Sequence, residues 1–205
     1  MDRIELKGTS CVRGEFTPPP DKSISHRAVM FSSISEGRSV VRNFLKAEDT
    51  LSTVSAFRSL GVNIEEKTDE LIIYGRGIYG LREPADIIDC RNSGTTMRLV
   101  SGILAGNPFF SILTGDNSLR KRPMQRVILP LRDMGAEISA RDNDRYPPIA
   151  IRGSKLRPIK YTLPVASAQI KSALLLAGLY ADGETEVTEP LPSRDHTERM
   201  LHAFG

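Results

Sequence analysis

The chain has 205 residues, of which 40% are hydrophobic and 26% charged, so it can bury a hydrophobic core and has the composition of a globular protein rather than of a disordered chain or a coiled coil. Its net charge of +3 is too small to require a nucleic acid or a membrane surface as a partner, and no apolar run in the sequence reaches the roughly 18 residues of a membrane span. The two cysteines, Cys11 and Cys90, lack the close Cys or His spacing of a zinc site or a disulfide framework. We therefore expect no metal site, no membrane partner and a reducing, cytoplasmic location.

One order of parts recurs three times along the chain and predicts three α/β units of β-α-β-α-β-β order. Each unit has a first helix rich in Ala, Ser, Leu and Gly, then a strand, then a second helix that ends at a glycine suited to a left-handed cap. The first helices are predicted over 23–37, 95–107 and 169–183. The second helices end at Gly61, Gly135 and Gly205, about 70 residues apart.

The segments that follow the first two of these glycines predict β-hairpins. Short alternating runs over 63–77 and 137–153 are each split by a polar turn and closed by Arg-Gly. The third unit stops at Gly205 before such a hairpin, so we expect this unit to be incomplete and the chain to be a fragment.

Three polar turns lead directly into the small-residue helices and predict a site for an anion with several charges. The turns are PPPDKSISHR, DCRNSGTTMR and PVASAQIKS. A helix N-terminus offers unpaired N–H groups and a partial positive charge. Side chains that suit phosphate or carboxylate oxygens accompany the turns: Lys22, Arg27, Arg98, Gln169 and Lys171.

For each turn taken alone, simple helix capping remains an alternative reading. Under this alternative the following residues are simply N-caps, with no role in binding: Asp21, Ser23, Asn92 and Ser167. Capping does not require cations beside every cap, so three such turns in register favour the anion site. Asp49 and Asp195, at the starts of two second helices, are expected to be structural caps as readily as functional groups.

A fourth basic group surrounds Pro123, which is predicted to start the next helix. The cations of this group are Arg120, Lys121, Arg122 and Arg126. A solvated run of charge or a nucleic-acid patch is the alternative interpretation. Cys90 adjoins an anion turn, but we expect it to be a buried packing residue rather than a nucleophile.

The motifs DKSISHR, NSGTTMR, LRKRPM, SAQIKSALLLAGL and SRDHTE resemble, in wording and order, those of the bacterial EPSP synthase (3-phosphoshikimate 1-carboxyvinyltransferase) family, over essentially the whole chain. The resemblance implies one lobe of a two-lobed, inside-out α/β barrel, with the substrates in the cleft between the lobes. Residues 14–205 would form the N-terminal lobe, and residues 1–13 would belong to the second lobe. The implied reaction transfers the enolpyruvyl group of phosphoenolpyruvate to the 5-hydroxyl of shikimate 3-phosphate, on the route to chorismate, without a cofactor.

The resemblance also assigns roles to residues, position by position. Lys22, the one catalytic residue expected in this chain, would bind the phosphate of phosphoenolpyruvate, which Gly94 and Arg122 would also contact. The remaining positions would hold shikimate 3-phosphate, with Gln169 also reaching towards phosphoenolpyruvate: Ser23, Arg27, Ser167, Ala168, Gln169 and Arg194.

Departures from the family pattern refine these expectations. Ala168 stands where many relatives have a second serine, and Leu99 stands where the plant and enteric enzymes have proline. Because Gly94 leaves space beside phosphoenolpyruvate, glyphosate is expected to inhibit the intact enzyme. In the family the acid and base come from the second lobe, so this chain is expected to bind substrate weakly and not to turn it over.

Two other functions stay open. The sister transferase that acts on UDP-N-acetylglucosamine shares the architecture, although DKSISHR and SAQIKS speak against it. A non-enzymatic RNA-binding module could use the RKRP stretch, and its affinity would then fall steeply with salt. Neither the charge nor the low aromatic content of 6% favours nucleic acid as a partner.

Overall fold

The computed structural model describes residues 5, 8, 11 and 13–205. The expectation that residues 1–13 belong to another lobe therefore lies almost entirely outside the described residues. From residue 22 onwards the chain forms three consecutive α/β units, as the repeat predicts.

The first unit packs two helices with a three-stranded antiparallel sheet. Its elements are α1 (Lys22–Ile34), β1 (Glu36–Arg42), α2 (Glu48–Ser59), β2 (Asn63–Glu66) and β3 (Glu70–Arg76). The strand order is β1-β3-β2, so the predicted hairpin over 63–77 is confirmed as β2 and β3. Within residues 13–21 no strand precedes α1.

The second unit contains the whole predicted order of elements. These are β4 (Ile88–Asp89), α3 (Gly94–Ala105), β5 (Phe110–Thr114), α4 (Gln125–Asp133), β6 (Glu137–Ala140), the one-turn segment α5 (Arg141–Asp144) and β7 (Tyr146–Arg152). The sheet order is β4-β5-β7-β6, with β4 parallel to β5 and the other pairs antiparallel. The β5-β7-β6 part repeats the β1-β3-β2 arrangement of the first unit.

The third unit begins as the second one does. Its elements are β8 (Lys160–Thr162), α6 (Ala168–Gly178), β9 (Glu186–Thr188) and α7 (His196–Phe204). Strands β8 and β9 are parallel, as β4 and β5 are. The three first helices begin one residue earlier than predicted and end two to five residues sooner. After α3 and α6 the last predicted residues form turns and bends, and after α1 they form the start of β1.

Two second helices end in the left-handed glycine cap that the sequence predicts. Gly61 and Gly135 have φ angles of +85° and +100°, a region that glycine adopts without steric cost. In each cap the residue after the glycine donates its N–H to a carbonyl in the last helical turn, at 3.0 Å for Val62 and 3.0 Å for Ala136. These bonds satisfy carbonyls that a helix end leaves unpaired.

The small-residue helices lie at the centre of the molecule and pack closely. At Gly102 of α3 a Cβ atom would lie 2.2 Å from the backbone oxygen of Ala173 in α6, so only glycine permits this approach. Met97, Leu99 and Leu174 on these helices are completely buried. This packing brings the starts of the first helices to one end of the molecule, where the polar turns lie.

Candidate functional site

The starts of α1, α3, α6 and α7 meet at one cavity of about 240 Å³. Three of its lining side chains are cationic and none is acidic. The lining residues are Lys22, Ser23, Arg27, Thr95, Ala168, Gln169, Arg194 and His196. Cations and unpaired helix N–H groups around one space provide the electrostatic environment that an anion with several charges needs.

The first turn places Lys22 at the rim of the cavity. Asp21 caps α1, because its Oδ1 accepts the N–H of Ile24 at 2.8 Å. The Lys22 ammonium forms an ion pair with Asp49 of α2, and the lysine side chain is half exposed. Asp49 lies inside α2 and is not its cap, a position that Ala47 occupies.

Arg27 lies beneath the cavity and is almost completely buried, with 3% of its surface exposed. Its Nε donates to Thr197 Oγ1 at 2.7 Å, its Nη1 to the backbone oxygen of Ser23 at 3.0 Å and its Nη2 to Ser172 Oγ at 2.7 Å. Burial lowers the pKa of the guanidinium, and the Glu198 carboxylate offsets part of that effect. A guanidinium has five N–H donors, so two remain for a ligand.

Arg194 connects the third unit to the first across the cavity. Its Nη1 donates to Ser23 Oγ at 3.3 Å. Asp195, the next residue, occupies the N-cap position of α7, but its side chain makes no capping hydrogen bond. Ser23 is not an N-cap either, because it lies inside α1.

The turn before α6 offers a hydroxyl and a backbone N–H. Ser167 caps the helix, since its Oγ accepts from the N–H of Ile170 at 3.4 Å. A hydroxyl that accepts one bond can still donate its hydrogen. Ala168, which lines the cavity, is the first residue of α6, where the backbone N–H has no partner inside the helix.

Arg98 fixes the orientation of Gln169. Its Nη1 donates to Gln169 Oε1 at 3.0 Å, and Gln169 Nε2 donates to Thr95 Oγ1 at 2.9 Å. Arg98 also donates to the backbone oxygen of Pro123 at 3.2 Å. Burial lowers the pKa of Arg98, and the neighbouring charge of Arg122 adds to the effect. Arg98, expected to be an anion donor, therefore acts first as a bridge between α3, α6 and the basic loop, which is the segment of the basic group before α4 that contains Arg122 and Pro123.

Gly94 and Arg122 adjoin this bridge. A Cβ atom at Gly94 would lie 2.6 Å from Arg98 Nη1 and 3.5 Å from Arg122 Nη1, so the absence of a side chain leaves room for both guanidinium groups. Arg122 Nη2 donates to Asn92 Oδ1 at 2.5 Å. Asn92 is thus not a cap; Ser93 caps α3 instead.

The basic loop departs from the sequence prediction in one detail. The helix that was expected to start at Pro123 begins two residues later, at Gln125. The Met124 N–H donates instead to the backbone oxygen of Arg145 at 2.8 Å. This bond to the neighbouring hairpin fixes Met124 at the N-cap position of α4, so the helix starts after it.

Lys171 is not an anion donor at the cavity, contrary to the sequence prediction. Its ammonium is buried and pairs with Glu189 at 2.8 Å and with Glu198 at 2.6 Å. Burial disfavours the charged form, but the hydrogen bonds to Glu189 and Glu198 outweigh it and raise the pKa of Lys171. At 3.6 residues per turn, position 171 points to the opposite side of α6 from Gln169.

Sequence reasoning missed the partners that hold Arg27. Ser172 and Thr197 are buried polar residues within α6 and α7. Both occur in motifs that the sequence analysis quoted, yet nothing local links them to a residue of α1. The only signal was Ser172, a hydroxyl residue next to the apolar run of α6.

Cys90 is completely buried, and burial raises the pKa of its thiol, which agrees with a packing role. No group of three or more His, Cys, Asp or Glu side chains among the described residues is placed to hold a metal ion. In that same part of the chain no helix has both the length and the apolar character needed to cross a membrane.

Comparison with known proteins identifies the family to which the chain is similar. A model of the EPSP synthase (3-phosphoshikimate 1-carboxyvinyltransferase) family matches residues 6–205. The 3-phosphoshikimate 1-carboxyvinyltransferases of Citrifermentans bemidjiense and Thermodesulfovibrio yellowstonii are each 56% identical to the chain and cover 100% of it, and the chain covers 48% of each relative. The solved EPSP synthase of Acinetobacter baumannii has a TM-score of 0.91 and 55% identity, covering 94% of this chain and 44% of that one.

These matches confirm the predicted α/β fold. The chain spans about half the length of the curated relatives it matches. Because the family model covers almost every residue and the fold agrees with a solved member, the chain belongs to the EPSP synthase family.

Proposed function

We propose that the chain forms one half of the active site of a 3-phosphoshikimate 1-carboxyvinyltransferase. The reaction transfers the enolpyruvyl group of phosphoenolpyruvate to the 5-hydroxyl of shikimate 3-phosphate and releases phosphate. The observation that carries the proposal is the meeting of four helix starts and three cationic side chains at one cavity. Two substrates that bring two phosphates and two carboxylates need such a concentration of donors.

The phosphate of shikimate 3-phosphate fits the side of the cavity formed by α1, α6 and α7. Arg27 has two unused N–H donors there, and Arg194 lies beside Ser23. Ser167 and the N–H of Ala168 add a hydroxyl and a helix N-terminus. Guanidinium groups and helix starts are the donors that proteins use most often for phosphate.

Phosphoenolpyruvate fits the adjoining side, formed by α3 and the basic loop. Lys22 would bind its phosphate as a point charge and stabilise the charge that develops when phosphate leaves. Arg122 would contact the same ligand beside Gly94, whose lack of a side chain leaves room for the Arg98 and Arg122 guanidinium groups. Gln169, oriented by Arg98, lies between the two substrates.

The chemical step needs groups that this half of the site does not offer. The methylene carbon of phosphoenolpyruvate takes a proton, and the 5-hydroxyl adds to the resulting cation and loses its own proton. The tetrahedral intermediate then expels phosphate and loses a proton from the new methyl group, which restores the carbon–carbon double bond. General acid and base groups each contribute about 10² to 10⁴ in rate. We infer that these come from the second lobe, that the intact enzyme works in the cytoplasm, and that this chain alone binds substrate in about the millimolar range.

The proposal is tested by titrating shikimate 3-phosphate and following the backbone amides of residues 22–27 and 167–171. We expect saturable shifts in both segments, with UDP-N-acetylglucosamine causing none. Mixing the chain with the C-terminal half of a relative should then produce turnover. Absence of shifts in both segments would overturn the assignment, as would tighter binding to RNA with a steep dependence on salt.

Glyphosate provides an independent test in the reconstituted enzyme. Because Gly94 has no side chain to displace the guanidinium groups of Arg98 and Arg122 from the phosphoenolpyruvate side, we expect competition with phosphoenolpyruvate and an inhibition constant no higher than the KM for that substrate. An inhibition constant far above the KM would contradict the arrangement proposed for Gly94 and Arg122.

A further inference from the structure

A partly buried group of charges, with Lys171 at its centre, lies between α6, α7 and the loop that carries Arg194. Lys171 of α6 pairs with Glu189, which follows β9, and with Glu198 of α7. Only 7% of the Lys171 side chain is exposed. The proposed reaction uses none of these three residues, although their charges are costly to bury.

Glu189 also accepts two hydrogen bonds from Ser193, in the loop that leads to Arg194, and we call this pair of bonds the clasp. Glu189 Oε1 accepts from the N–H of Ser193 at 2.9 Å, and its Oε2 accepts from Ser193 Oγ at 2.6 Å. Lys171 Nζ donates to the same Oε1 at 2.8 Å, so Lys171 and Ser193 share one carboxylate. The residue after Ser193 is Arg194, whose Nη1 lies 3.3 Å from Ser23 Oγ.

The same helix that anchors the clasp also provides the third turn of the cavity. Lys171 lies one helical turn after Ser167 in α6, so the ion pair ties the loop of Arg194 to the turn of Ala168 and Gln169. Two cations, Lys171 and Arg27, meet two carboxylates there, because Glu198 lies near both cations. The distance between Arg194 and the start of α6 is therefore set through Lys171.

We propose that Lys171, acting through Glu189 and Ser193, is a positioning residue that holds Arg194 at the phosphate side of the cavity. The inference rests on the proposed function for the identity of the phosphorylated substrate. The positioning of Arg194 does not depend on the proposed function, because binding of inorganic phosphate is enough to measure it. A buried ion pair contributes little net stability by itself and is often replaced by apolar residues without loss, so a role in positioning gives a reason for its cost.

The variant Lys171→Met removes the charge and keeps the length of the side chain. We expect about tenfold weaker binding of inorganic phosphate and of shikimate 3-phosphate, because a charge-assisted contact is lost, and no change in binding of phosphoenolpyruvate at the Lys22 side. Lys160→Met is the matched control. It removes the same charge from an exposed pair with Glu186 and should leave phosphate binding unchanged.

A double-mutant cycle with Arg194→Ala separates positioning from a general loss of positive charge or of stability. If Lys171 acts through Arg194, then Lys171→Met should cost nothing further once Arg194 is removed. Losses that multiply to about a hundredfold in the double variant would overturn the proposal, and so would an Arg194→Ala variant that binds phosphate as tightly as the parent chain.

Hydrogen exchange gives a readout that needs neither a ligand nor the Lys171 variant. The Ser193 amide donates to Glu189, so Glu189→Gln should speed its exchange at least tenfold while the amides of α1 and α3 keep their protection. Ser193→Ala removes one bond of the clasp, leaves the buried pair intact and should weaken phosphate binding by a smaller factor, about threefold. Unchanged exchange at Ser193 would overturn the proposal. Failure of the proposed function would look different: shikimate 3-phosphate would bind no better than inorganic phosphate.

Discussion

Two buried polar networks lie beneath the cavity, one on each side of α1, and they differ in charge. Each occurs where the second helix of one unit meets the first helix of its own unit and the first helix of another unit. Between α1, α2 and α3 the network is neutral, and its members are His26, Ser52, Thr53, Ser93 and Thr96. Between α6, α7 and α1 it is charged, and its members are Arg27, Lys171, Ser172, Glu189, Thr197 and Glu198.

The neutral network is a chain of short hydrogen bonds centred on Thr96. Its Oγ1 lies 2.7 Å from Thr53 Oγ1, 2.9 Å from Ser52 Oγ and 2.8 Å from Ser93 Oγ. His26 joins through Nδ1, 2.7 Å from Thr53 Oγ1. Burial lowers the pKa of His26 to about 4, so the imidazole stays neutral near pH 7. This network joins three helices and presents no charge to the cavity.

The charged network makes the same helix junction but also provides a cation. Arg27 is held by hydroxyls of α6 and α7 and keeps two donors for a ligand. The comparison shows that one repeated junction can serve packing alone or can bury a charge for use at a site. The charged version should therefore be the more sensitive to substitution and the more closely tied to ligand binding.

Arg27→Met should have the largest effect, because it leaves Ser172 and Thr197 without their partner and removes one of the two positive charges near Glu198. Breaking one side of a buried, hydrogen-bonded charge costs about 4 kcal/mol. Urea unfolding of the variant measures this loss. Arg27→Lys keeps the charge but cannot make three directed bonds, so its unfolding free energy should lie between those of the parent chain and of Arg27→Met. A loss under about 1 kcal/mol for Arg27→Met would mean that the junction does not depend on its cation.

The pH dependence of stability should separate the two networks. His26 has a pKa lowered from 6.5 to about 4, so the unfolded chain takes up the proton first as the pH falls. Its contribution is complete above pH 6.5 and is lost between about pH 6.5 and pH 4, on the order of 3 kcal/mol in all. Glu189 has a pKa lowered from 4.5 to about 2, chiefly by Lys171, so its contribution is lost only between pH 4.5 and pH 2.

Urea unfolding across this pH range measures both losses. His26→Gln should flatten the dependence between pH 6.5 and pH 4, and Glu189→Gln should flatten only the part below pH 4.5. If His26→Gln leaves the upper part of the curve unchanged, the neutral network does not exclude the charged imidazole.

Local patterns in the sequence predicted most of the fold. The glycine caps at Gly61 and Gly135 and both complete hairpins follow from turn chemistry and from the alternation of apolar residues, which act over a few neighbours. The same holds for the starts of the first helices, which one polar turn each defines. Helix ends and the start of α4 were less accurate, because contacts with distant residues such as Arg145 decide them.

The candidate site was predictable in its residue types but not in its contacts. Polar turns before buried helices indicated where an anion would bind, and the family resemblance gave each position a role. The partners of Arg27 lie 145 and 170 residues away, and no pattern in one sequence joins such positions. Lys171 was misassigned for a related reason: the turn suggested a donor, but the carboxylates that neutralise it lie in other elements.

Thr96→Val should have an intermediate effect and tests whether the neutral network behaves as one unit. The substitution keeps the shape of the side chain and leaves three hydroxyls short of a partner, which we expect to cost about 2 kcal/mol in unfolding free energy. Thr162→Val, an exposed position on β8, is the matched control and should change little. Phosphate binding should stay within about twofold in both variants, unlike that of the Arg27 variants.

Asp49→Asn should have the smallest effect on stability and the opposite effect on binding. The Lys22 to Asp49 pair is partly exposed, so its loss should change the unfolding free energy by no more than about 0.5 kcal/mol. A ligand phosphate must compete with Asp49 for the ammonium, so removing the carboxylate should tighten phosphate binding about twofold to threefold, and added salt should reduce the gain. Glu48→Gln removes the same charge from the neighbouring residue of α2 and should give less than half that gain. Weaker binding in Asp49→Asn would reverse the interpretation, since Asp49 would then hold Lys22 in place for the ligand rather than compete for it.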